Sequence, residues 1–220
     1  MTYMNWSAMQ PELLLLGMAL VVSMVDLWVK DPGRRPTYWL TQLTLLAVAA
    51  LHLWKFHKGY TVVAMQGLVG TDPMSHLLAG LSALVTAGVL LLSRPYAQAR
   101  EMLKGELFTL SLFMLLGVCI MVSARHFLVI YLGLELMSLS LYALVALRRD
   151  HAVSTEAAMK YFVLGALASG FLLYGLSMMY GATGSLSIPQ VFAALSAGQV
   201  NQGVLVFGLV FIVSGLAFKL

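Results

Sequence analysis

The stretch YLGLELMSLSLYALVAL, Tyr131 to Leu147, is apolar over a length suited to a lipid bilayer, yet it carries a carboxylate, Glu135, near its middle. At about 100° per residue, Tyr131, Glu135, Ser138 and Tyr142 fall at i, i+4, i+7 and i+11, so the four polar side chains form one narrow stripe on a helix. The remaining faces are Leu, Met, Ala and Val. Hydrocarbon offers no hydrogen-bond partner to a carboxylate or a hydroxyl, so the stripe must face protein or trapped water. The segment therefore reads as one helix of a membrane bundle.

The rest of the chain agrees. With 60% hydrophobic and 10% charged residues and a mean hydropathy of +0.89, it is too apolar for a water-soluble domain, in which about a quarter of residues are charged. A spanning helix needs about 20 mostly apolar residues. Seven windows qualify: Pro11–Val29, Tyr38–Trp54, Met74–Leu92, Leu107–Ala124, Phe127–Leu147, Ala157–Tyr180 and a seventh from Gly203 to Leu220. The predicted fold is an all-α, polytopic helix bundle with no separate soluble domain. No Lys or Arg precedes the first window and Glu12 stands at its start, which does not read as a signal peptide. The uncharged stretch GATGSLSIPQVFAALSAGQVNQ before the last window has room for a short surface helix.

Lys and Arg between the windows predict the orientation. The first, third and fifth connections hold Lys30, Arg34, Arg35, Arg94, Arg100, Lys104, Arg148 and Arg149, whereas the second and fourth hold only Lys55, Lys58 and Arg125 and the sixth holds none. The richer set belongs on the cytoplasmic side, which puts the amino terminus outside. This bias accounts for the net charge of +4 without a nucleic-acid partner.

Lys160 and Lys219 remain, both inside windows, and Glu135 is the one acid deep within a window. Glu12, Asp26 and Glu156 lie near window ends, where a side chain can reach the interface. An ionisable group at the bilayer centre costs about 2.5–3.5 kcal/mol on insertion scales, so each is a functional candidate. Glu135 has a second reading, as a residue that fastens one helix to another. Lys160 follows Glu156 by four residues, the spacing of a stabilising pair on one helix face. Behind it, Gly165 with Ser169 and Ala166 with Gly170 permit close helix approach. Lys219 comes late in its window and could snorkel, yet Gly208 and Gly215 share its side. The chain shows no polar tail after Lys219, the pattern expected of a fragment.

Other chemistry is sparse. One cysteine, Cys119, cannot make an internal disulfide or a cluster site within this chain. His52, His57, His76, His126 and His151 fall near window ends or in connections, and His52 and His57 are about 140° apart on a helix, so they share no face. The fourteen Met residues are scattered and read as packing. No phosphate-cradling glycine loop or nucleophile constellation occurs. The residues support movement of charge.

YLGLELMSLSLYALVAL, STEAAMKYFVLGALASGFLLYGLSMMYGATGSL and GLAFKL together resemble the antiporter-like membrane subunits of respiratory NADH:quinone oxidoreductase (complex I), the bacterial subunit N type. The likeness is strong from Leu107 to Leu220 and weaker before. It implies a fold of fourteen spans with two inverted five-helix repeats, of which this chain holds an amino-terminal part: residues 1–106 with helices one to three, and 107–220 with helices four to seven of a truncated proton-channel repeat. It implies that Glu135 is the fifth-helix glutamate, Lys160 the sixth-helix lysine and Lys219 the seventh-helix lysine that exchanges the proton. These are the candidate proton-transfer residues.

The resemblance further implies a translocase subunit in a bacterial inner membrane, with other membrane-arm subunits, lipid and protons as partners. No cofactor is expected in this chain; NADH, FMN, iron–sulfur clusters and a quinone belong to other subunits, and no metal site is expected. A cation/proton antiporter subunit and a purely structural membrane-arm subunit are the alternatives. The chemistry of the pair is general: burial favours the neutral form of either group, whereas a close partner of opposite charge favours the ionised pair. Separating the partners would swing the lysine between holding and releasing a proton, and the two titrate as one unit.

Overall fold

The computed structural model describes residues 5–198 and 200–219. Seven long helices and one short one account for most of them: α1 (Gln10–Trp28), α2 (Arg35–His57), α3 (Pro73–Ala99), α4 (Gly105–Val122), α5 (Phe127–Val145), α6 (Ala152–Thr183), the short α7 (Ile188–Ser196) and α8 (Gln202–Lys219). Each long helix overlaps one predicted window; Leu220, the end of the seventh, lies outside the described residues. The short α7 occupies the stretch where a surface helix was expected. Proline stands in the first turn of α1, α2, α3 and α7, where its missing N–H costs nothing. A reciprocal cap between Asp72 and Ser75 adds to the start of α3.

Among the described residues, six helices are both long and apolar enough to cross a membrane, and α2 is not one of them. With 23 residues, α2 is about 34 Å long at 1.5 Å per residue, enough to span. Its polar residues explain the lower hydropathy: Thr37, Thr41, Gln42, Thr44, His52 and Lys55 are all buried. They are covered by α1, α3 and α4, which pack around α2. A helix surrounded by protein can carry polar groups that a lipid-facing one cannot.

The connections gather at two ends, which requires α2 to traverse. At one end a small hairpin, β1 (Val62–Ala64) and β2 (Val69–Thr71), pairs antiparallel with Ala64 opposite Val69. Val69 bridges to Ala124, and His126 bridges to Ser187, so the second, fourth and sixth connections are stitched by backbone pairing. At the other end Arg94 donates to the Gly33 carbonyl at 3.3 Å, and Lys104 reaches the Leu147 carbonyl at 3.4 Å. The first, third and fifth connections, the set richer in Lys and Arg, thus share that end. Between the ends, Leu15, Val22, Leu45, Val48, Phe108, Leu112 and Leu115 form a core common to α1, α2 and α4.

Candidate functional site

Two close helix contacts set the site. Between α4 and α5, a Cβ on Gly117 would fall 2.6 Å from the Gly133 carbonyl oxygen. Between α6 and α8, a Cβ on Gly175 would fall 2.7 Å from the Gly208 carbonyl oxygen, and one on Gly215 would fall 2.7 Å from that of Ala168. Only glycine fits at such separations, and the small-residue face of α8 is the face that carries Lys219. These contacts bring α8 along α6, while α6 also lies against α5.

Lys219 and Glu135 meet there although 84 residues separate them: the lysine Nζ donates to Glu135 Oε1 at 2.6 Å. It also donates to Ser138 Oγ at 3.2 Å. Ser169, on α6, donates to the same Oε1 at 2.5 Å. The side chains are 7% exposed for Lys219 and 20% for Glu135, so this is a largely desolvated ion pair. The Ser169 hydroxyl has a second acceptor, the Gly165 carbonyl at 3.0 Å. Its single proton can leave the carboxylate without losing a hydrogen bond. Three helices therefore contribute to one carboxylate: α5 supplies it, α8 the cation and α6 a neutral donor.

The predicted stripe on α5 is realised in part. Ser138 and Tyr142 are buried, and the Tyr142 hydroxyl lies against Gly165, where a Cβ would collide with it. Lys160 is elsewhere. It pairs with Glu156 at 2.5 Å, with the two side chains 70% and 64% exposed. Its position is that of the local helix pair, and the fold does not bring it to Glu135. Of the two small-residue pairs on α6, Gly165 and Ser169 are buried while Ala166 and Gly170 are exposed, so only the first pair lies at a helix contact.

Two groups placed near the interface by their sequence position are interior. Glu12 is buried in the first turn of α1, and Lys55 belongs to the last turn of α2, where it is buried too. His52 and His76, on the facing helices α2 and α3, are in direct contact, Nδ1 to Nδ1 at 3.2 Å. Sequence reading compared His52 with His57 along one helix and missed the partner across the hairpin. The available signal was depth: His52 and His76 lie a few residues in from either end of the connection that joins α2 to α3. Ser169 was read only as a small residue; its signal was a hydroxyl in an apolar run.

Comparison with known proteins gives five findings. Residues 124–220 match the family described as NADH:quinone oxidoreductase/Mrp antiporter, TM. The chain is 58% identical to NADH-quinone oxidoreductase subunit N of Polaromonas naphthalenivorans, over 99% of this chain and 44% of that protein. It is 51% identical to subunit N of Herminiimonas arsenicoxydans, over 100% of this chain and 45% of that one. A chain of respiratory complex I from Thermus thermophilus with bound aureothin superposes with a TM-score of 0.73 at 30% identity, covering 96% of this chain and 44% of its own. A chain of the membrane-bound sulfane sulfur reductase, an archaeal respiratory membrane complex, superposes at 0.76 with 26% identity and the same coverage. The chain thus spans less than half the length of the relatives it matches.

Proposed function

We propose that this chain, whose residues 124–220 match the family described as NADH:quinone oxidoreductase/Mrp antiporter, TM, is part of a proton-translocating membrane-arm subunit of an NADH:quinone oxidoreductase. In this reading the chain holds the uptake half of a proton path, and electron transfer from NADH to quinone in partner subunits supplies the energy. Redox cofactors sit in those partners. The subunit lies in a bacterial inner membrane with its amino terminus on the periplasmic side. Residues 1–106 are a leading helical part, and 107–220 begin the proton-channel repeat.

The observation that carries the reading is the largely desolvated Glu135–Lys219 pair with two further hydroxyl partners. Neither charge is stable alone at that depth, so their separation is coupled to proton gain or loss. Moving one charge through 100 mV costs about 2.3 kcal/mol, which demands an external energy source. Lys160 takes a subordinate role, because Glu156 already satisfies it locally.

The test uses the full-length subunit in its complex. A charge-assisted hydrogen bond contributes about 1.5–3 kcal/mol, which as a barrier is a roughly ten- to hundredfold slowing. Glu135→Gln should therefore slow coupled pumping and quinone reduction together by that order, and Lys219→Ala by at least as much. The double variant should lose much less than the sum, since both act on one unit. Unchanged pumping in Glu135→Gln overturns the assignment. Lost assembly with normal pumping in the surviving complexes establishes the helix-fastening role instead.

A second reading, a cation/proton antiporter subunit, is favoured by the family description, which names Mrp antiporters alongside the oxidoreductase. Dependence of transport on a sodium gradient would select it.

A further inference from the structure

A second set of ionisable groups is buried among α1, α2 and α3, elements that contribute nothing to the Glu135–Lys219 site. Glu12 is 4% exposed and Lys55 3%. No ion pair joins them among the described residues. Lys55 instead donates to the backbone carbonyls of Ser7 at 2.7 Å and Ala8 at 3.4 Å. Glu12 Oε2 is left with no hydrogen-bond partner among the described residues. A buried carboxylate with a bare oxygen, whose neighbouring cation is bonded to backbone carbonyls and not paired with it, is not a stable charged species. The start of α1 favours negative charge there, but a helix end offsets only part of the cost of burial.

We propose that Glu12 is a second proton-binding site, neutral and proton-bearing in this arrangement, with Lys55 as its movable counter-ion. In the other arrangement Lys55 leaves the Ser7 and Ala8 carbonyls, reaches Glu12 and displaces the proton, which departs as hydronium. A cavity of about 290 Å³ lined by Ser7, Gln10, Trp54, Lys55, Lys58 and Tyr60 opens beside Lys55 and has room for the water that would take up the proton. Lys55 from α2 and Cys119 from α4 lie within electrostatic range of Glu12; His52 from α2 and His76 from α3 lie within range of Lys55, the capping Asp72 within range of His76, and the Tyr60 ring 5.1 Å from Lys55 Nζ. The Tyr60 hydroxyl lies 3.0 Å from Ser7 Oγ. His52 and His76 share one Nδ1–Nδ1 contact and leave both Nε2 atoms unpartnered among the described residues. That pair can accept at most one further proton while in contact, because two protonated Nδ1 atoms would oppose each other.

The proposal does not depend on any role for Glu135 or Lys219. Its test is made on the full-length subunit in its complex. Infrared difference spectra between about pH 6 and pH 9 should contain a carboxyl C=O band at the acid end that Glu12→Gln removes and Glu12→Asp retains. Dicyclohexylcarbodiimide, which modifies protonated carboxyls in apolar surroundings, should label Glu12 at neutral pH, and mass spectrometry locates the adduct. Lys55→Met, which removes the competing cation, should carry the labelling into the alkaline range, with roughly tenfold more adduct at pH 9, the equivalent of one unit of proton affinity. An infrared spectrum in which Glu12→Gln removes no carboxyl band at pH 6 overturns the proposal, whatever the labelling. Labelling that is identical in Lys55→Met and the unaltered protein at every pH overturns the role of Lys55.

Discussion

Glu135 Oε1 receives two donors of different kinds, and the difference predicts how far each can be removed. Lys219 is the charge partner at 2.6 Å and Ser169 a neutral one at 2.5 Å. Removing the hydroxyl leaves the ion pair intact and forfeits one hydrogen bond, about 1 kcal/mol. Ser169→Ala should therefore slow pumping by roughly fivefold, clearly less than Glu135→Gln, in side-by-side proton-pumping assays on reconstituted complex. A loss as large as that of Glu135→Gln would mean that the serine itself carries the proton. Lys160 should behave as its exposure dictates. Its pair with Glu156 is solvated on both sides, and such i,i+4 pairs contribute about 0.3–0.5 kcal/mol. Lys160→Ala should leave assembly and thermal stability nearly unchanged and pumping the least affected of the three candidate lysine and glutamate variants.

At the scale of the helix, the distance between Lys219 and Glu135 is set by glycine contacts a turn or more away. Gly175 faces the Gly208 carbonyl with no space for a methyl group, whereas Gly170 on the same helix meets nothing within 4 Å. Gly175→Val should push α8 off α6 at an overpacking cost of about 1–3 kcal/mol, lowering the thermal stability of the complex and slowing pumping while both charged residues remain. Gly170→Ala should do neither. Equal effects from the two would show that the α6–α8 contact does not position the lysine. Helix positions, the surface helix and the Glu135 stripe were legible in the sequence because each depends on periodicity along one segment. Which helices touch was legible only as small-residue spacing, and that spacing also marked Ala166 and Gly170, which face outward. The Glu135–Lys219 meeting and the His52–His76 contact join residues on different helices, and the order of helices around the bundle is not written in any one of them. The buried Lys55 was misread for a related reason. Proximity to a connection puts a residue near the membrane surface, but a bundle can fold its own terminal segment over that end, as the Ser7 and Ala8 carbonyls do here.

For the whole molecule the open quantity is absolute orientation, since pairing of the connections fixes which share an end but not which end meets the cytoplasm. The end stitched through Val69, Ala124, His126 and Ser187 carries few cations. The opposite end gathers Arg34, Arg94, Lys104 and Arg149, and two of these are held by acids: Arg34 by Asp26 at 2.9 Å and Arg149 by Glu106 at 3.0 Å. Pairing does not remove the bias, because the positive-inside effect counts Lys and Arg near span ends and gives acids little weight. Single cysteines placed between Lys30 and Pro36 in the full-length subunit should accordingly be shielded from an impermeant maleimide applied from the periplasmic side. Cysteines near Ser185 should react. Cys119, the one cysteine of these 220 residues, is buried and should contribute no background. Because the first, third and fifth connections share one end, a cysteine between Arg100 and Lys104 must behave like one between Lys30 and Pro36. Reaction of both with shielding at Ser185 would invert the orientation and leave the fold untouched; a split between the first two would contradict the arrangement of the helices itself.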